Sequence, residues 1–128
     1  MLGTLFLGDD DTTNESERTE PSVDAKSCDP VKLDTLGELL GVDDPAGDPL
    51  DPTAEEHWIL PLSAPFIAAL AKIDATQRPD IAKQWAATEE WQADGGTAAS
   101  LDRMLGEIAK LAKQAVSEDK PIFLWLSL

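Results

Sequence analysis

The chain has 128 residues, is 42% apolar, and carries 25 Asp and Glu against 10 Lys and Arg, a formal net charge of −15. That balance excludes recognition of DNA or RNA through phosphates, which needs clustered bases, and docking on an anionic lipid leaflet. The length fits one domain, a single cysteine excludes an internal disulfide, and no run approaches the ~20 apolar residues of a membrane span.

The charge is unevenly placed. Residues 9–56 hold 16 acidic and three basic side chains (Arg18, Lys26, Lys32), a net of −13, whereas residues 57–128 hold nine acids and seven bases. An acidic, loop-rich front is therefore attached to a nearly neutral globular rear, a pattern that speaks to partners more than to fold.

Leu2–Leu7 is predicted as a short strand, with Leu5 and Leu7 on one face and Leu2, Thr4 and Phe6 on the other, ended by Gly8 and Asp9–Asp11. The opening residues lack the basic region of a secretory signal, so the expected location is the cytoplasm. Residues 9–28 contain one large aliphatic side chain, Val23, and are expected to form a mobile acidic loop. Cys28 stands among acids, which raise a thiol pKa and argue against a nucleophilic role.

Asp29-Pro30 opens the first helix, with Leu33, Leu36, Leu39 and Leu40 at helical spacing and Gly41 placed to end it. Residues 42–56 carry Asp43, Asp44, Asp48, Asp51, Glu55 and Glu56 among three prolines and a glycine, and read as an acidic connector. His57–Leu62 is a second strand, interrupted by Pro61. Ser63 caps a helix whose buried face is Phe66, Ile67, Leu70 and Ile73.

Thr76–Trp91 is predicted as one helix with Pro79 in its first turn. On such a helix Trp85 and Trp91 diverge by about a third of a turn and cannot face one direction. Gly95-Gly96 breaks the chain, and Thr97 caps a last helix with Leu101, Met104, Leu105, Ile108, Leu111, Ala112 and Ala115 on its apolar face. Ile122–Leu128, apolar on both faces, is a third strand expected beside the first. The whole is a single α+β domain, a small sheet of about three strands (N-terminal, middle and C-terminal) covered by about four helices.

No catalytic or cofactor motif accompanies these elements. The aspartates of residues 9–11 and 43–51 do not follow the alternating calcium-loop pattern, and one His with one Cys is too few for zinc, so neither metal nor cofactor is expected. His57 lies beside Glu55 and Glu56; Glu56, its strand neighbour, points to the opposite face, and Glu55 could share its face, but no serine stands in a nucleophile elbow. Glu89 and Glu90 precede Trp91, yet adjacent helical residues diverge by ~100° and would not share a substrate. Trp91 itself reads either as a cover over the helix end or as an exposed anchor for a partner.

The first expectation is therefore a non-enzymatic module whose acidic surface engages a basic protein. Asp43, Asp44, Asp48, Asp51, Glu55 and Glu56 would supply the field, and Trp58 or Trp91 the anchor. Small acidic inhibitors of basic nucleases, bacterial immunity proteins among them, use charge in this way, although no motif ties the chain to those families. Two alternatives stand beside it. One is a small enzyme or ligand-binding domain using His57 with Glu89 or Glu90; the other is a self-assembling structural domain whose C-terminal strand pairs with a second copy.

Overall fold

A computed structural model describes residues 3–13, 21–25 and 28–127. Four strands, β1 (Gly3–Leu7), β2 (Ser22–Asp24), β3 (His57–Pro61) and β4 (Ile122–Ser127), form one antiparallel sheet in the order β2-β1-β4-β3. Five helices accompany it: α1 (Pro30–Leu40), α2 (Ala64–Ala71), α3 (Arg78–Ala86), the short α4 (Glu89–Asp94) and α5 (Ala98–Glu118). The α+β class holds, with one strand and one helix more than the sequence reading.

The extra strand comes from the segment expected to be loop. Val23, its one large aliphatic, pairs across from Leu5 and is buried, which is enough to hold three residues against β1. The expected mobility of residues 14–20 and 26–27 lies outside the described residues. β4 lies beside β1, as expected, and runs antiparallel to it, from Gly3 opposite Leu126 to Leu7 opposite Ile122. It also pairs with β3, so it is an inner strand with both edges used.

Alternation along the strands separates two apolar clusters. Leu5, Leu7, Val23, Leu60, Leu124 and Leu126 join the main core with the helices, while Phe6, Ile59 and Phe123 form a smaller cluster of their own. Phe6 and Phe123 are direct cross-strand partners, their rings stacked with centroids 5.8 Å apart.

The 21-residue α5 is the spine of the helical layer. Thr97 and Ser100 form a reciprocal capping box at its start, and α2 and α3 pack on its apolar face. Arg78 Nε meets Asp102 at 2.9 Å and links α3 to α5. In α1, Asp29 accepts from Lys32 N at 2.9 Å, Pro30 fills the first turn, and Gly41 ends the helix at φ 75°, a conformation costly for any residue with a Cβ. Leu33 and Leu36 are buried and Leu40 is half-buried, but Leu39, expected on the same face, is 37% exposed.

The helix predicted over 76–91 breaks at Ala87-Thr88. The Thr88 hydroxyl donates to Trp85 O at 2.7 Å, and its backbone is extended (φ −68°, ψ 151°), so it ends one helix and starts the next. This reorients Trp91. The two indoles, divergent on a continuous helix, instead meet edge to face with centroids 5.3 Å apart.

The connector is more ordered than its composition suggests. Ser63 N donates to Pro45 O, Gly47 N to Pro61 O and Leu50 N to Ile59 O at 2.8–2.9 Å, and Ala46 bridges Leu62. Residues 45–50 thus strap the outer edge of β3 and supply donors to its Ile59 and Pro61 carbonyls. No helix among the described residues is long and apolar enough to cross a membrane.

Candidate partner-binding surface

The strap determines where the acids go. Gly41 ends α1, and Pro45 then closes on Gly37, where an added Cβ would lie 3.0 Å from the proline ring. Between these points Asp43 and Asp44 are exposed, Asp44 in a left-handed conformation (φ 50°). Proline and glycine supply the strap's backbone geometry, and its polar side chains turn to solvent. Asp48, Glu55 and Glu56 are exposed as well.

Asp51 behaves differently. Its carboxylate accepts from the Thr53 hydroxyl at 2.6 Å and Thr53 N at 3.0 Å, and these bonds hold its pKa below the usual carboxylate value. It serves its own turn while remaining anionic. Trp58 is half-buried against the rim of the main core, and its indole N–H donates to Ala54 O at 3.3 Å, which ties the end of the connector to β3.

Among the described residues none of these six carboxylates is ion-paired with a base of the chain. Lys32 is matched by Asp29 and Asp94, Arg78 by Asp102, and Lys120 by Glu118. Arg103, Lys110 and Lys113 of α5 are exposed, and among the described residues none is ion-paired with a carboxylate of the connector. Asp48 lies in the strap itself, Asp43 and Asp44 precede it, and Glu55 and Glu56 follow it up to Trp58.

Trp91 is not part of that surface. Only 3% exposed, it packs in the helical layer and cannot anchor a partner as the chain stands. A cluster that sequence reasoning missed surrounds it. Lys32, 1% exposed, extends its ammonium over the Trp91 ring, 4.5 Å from the centroid, and pairs with Asp94 and, at 3.7 Å, Asp29. The Trp85 indole N–H donates to Lys32 O at 3.0 Å and Thr35 Oγ1 at 3.1 Å. Only Asp29-x-x-Lys32 was visible locally, because Asp94 lies 62 residues away.

Cys28 is fully buried, and its thiol is pushed up to about 12, first by desolvation and then by Asp29. It stays protonated and is no nucleophile at neutral pH.

His57 is on the side of β3 away from the helices and stacks on Trp125, with ring centroids 5.5 Å apart. Glu89 and Glu90 lie in the first turn of α4, which packs against α1 and α3 in the helical layer. The sheet separates the two, so they line no common site. Both edges of β4 are already paired, which leaves it no edge for a second copy. No three His, Cys, Asp or Glu among the described residues converge to hold a metal ion.

The fold and surface thus define an α+β domain with an acidic strap along one sheet edge. No known family model matches the chain, and no curated protein or solved structure matches it.

Proposed function

We propose that this chain is a non-enzymatic module that binds a basic protein partner through the acidic strap. The observation that carries the reading is that Asp48 on the strap, Asp43 and Asp44 before it and Glu55 and Glu56 after it are all exposed and have no ion pair among the described residues. A fixed field of one sign speeds encounter with the opposite charge and rejects like charge. Unlike a flexible tail, a strap hydrogen-bonded to β3 loses little conformational entropy on binding.

The test is parallel capture from native lysate by the wild-type chain and by a variant with Asp43, Asp44 and Asp48→Asn and Glu55 and Glu56→Gln, at low and high salt. Asp51 is retained because it holds the Thr53 turn. The expected result is a basic protein retained by the wild type, released by salt and lost from the variant. Identical capture by both chains would contradict the reading.

A further inference from the structure

We infer that α4 is a latch. Residues 89–96 open and close as a unit of their own while α3, α5 and the sheet stay folded, and opening uncovers Trp91 and the Lys32 ammonium. The inference is independent of the acidic-partner reading. It rests on how the segment is joined, what holds it shut and what closing costs.

The joints leave both neighbours complete. Ala87 N donates to Lys83 O and Thr88 N to Trp85 O at 3.1–3.2 Å, so α3 is finished before α4 begins. The Thr88 hydroxyl donates to Trp85 O as well. Beyond α4, the capping box of Thr97 and Ser100 starts α5 afresh. Extended Thr88 and left-handed Gly95 (φ 76°) are the points at which the chain turns in and out of α4. The segment can therefore unwind without breaking the bonds that end α3 or the box that opens α5.

Few contacts hold it shut. Trp91 meets Trp85 edge to face, Lys32 lies over the Trp91 ring and pairs with Asp94, and Gln92 Nε2 donates to Ala86 O at 2.7 Å. These partners all belong to α1 and α3.

The closed state also carries costs. The Lys32 side chain is kept from water, and the Trp91 indole N–H is buried without an acceptor among the described residues. Six residues, moreover, are too few for a helix to persist alone. Opening relieves these together, because water reaches both the ammonium and the indole N–H once the segment lifts. A short unit with few holding contacts and such costs opens well before the molecule unfolds.

Native-state hydrogen exchange, followed by NMR at low urea and read as opening equilibria, tests this. The Gln92 and Gly96 amides and the Trp91 indole N–H should exchange at least about tenfold faster than the slowest α5 amides, with weaker urea dependence. The Trp85 indole N–H, whose acceptors lie in α1, should stay protected. Ile59→Val trims the small cluster of Phe6, Ile59 and Phe123, apart from the helical core. It should speed the slowest α5 amides by about threefold to tenfold and leave the α4 group unchanged.

Asp94→Ala should raise exchange of the α4 group by about 30-fold to 100-fold, and adding Lys32→Met should reverse most of that rise by removing the buried charge. Acceleration of α4 and α5 alike by Ile59→Val, or α4 amides as slow as those of α5, would overturn the latch. Failure of Lys32→Met to restore protection in the Asp94→Ala background would overturn it too.

Discussion

Trp85 and Trp91 touch each other but stand in different chemical positions. The Trp85 N–H has two acceptors, whereas the Trp91 N–H is buried with no partner among the described residues. An unmade hydrogen bond at a buried donor costs about 1–3 kcal/mol, so the Trp91 ring contributes through area and its contact with Lys32 rather than through its N–H. Trp85→Phe should therefore destabilise by about 2–3 kcal/mol and Trp91→Phe by about 1 kcal/mol in urea unfolding. The reverse order would refute this division of roles. Cys28 shows what residue-level reading of sequence captures and misses: neighbouring acids gave the right direction for its thiol, but desolvation, the larger cause, depends on burial that no local pattern reveals.

At the scale of elements, what is local was legible. Asp29, Ser63 and Thr97 each accept a hydrogen bond from a backbone N–H three residues on, and Gly41 takes the left-handed conformation its position called for. Features fixed by distant partners were not legible. β2 exists because Val23 meets Leu5, the strap because residues 45–50 find β3, and the place of α4 because Trp91 and Asp94 find Lys32. Six residues cannot sustain a helix unaided. The Lys32–Asp94 pair is therefore a clamp between α1 and α4, with unequal sides: the ammonium is buried, whereas Asp94 is 47% exposed in its side chain. Asp94→Ala removes the nearer carboxylate from a buried ammonium and should cost about 2–3 kcal/mol. Lys32→Met keeps the stem and releases carboxylates to water, and should cost about 1 kcal/mol or less. Equilibrium denaturation of the two variants checks the order; a costlier Lys32→Met would show that the charge itself, not its burial, holds α4.

Across the whole molecule, the sequence pointed correctly to an α+β fold, because the alternating and helical apolar patterns are set by the core they build. The concentration of acids in residues 9–56 was equally plain. The exposure of Leu39 was not, since it was expected inside with Leu36 and Leu40. The fold leaves the acids in and beside the strap exposed and without an ion pair among the described residues. Their mutual repulsion opposes folding slightly, and no contact within the described residues repays it. If those charges serve a partner and not the fold, removing them must leave the domain intact. Urea unfolding at low ionic strength, comparing the wild type with the Asp43, Asp44, Asp48→Asn and Glu55, Glu56→Gln variant, tests this most directly. The expected midpoint is equal to or above that of the wild type. A variant less stable by more than about 1 kcal/mol, beyond what exposed pairs ordinarily contribute, would show that the fold itself uses these carboxylates.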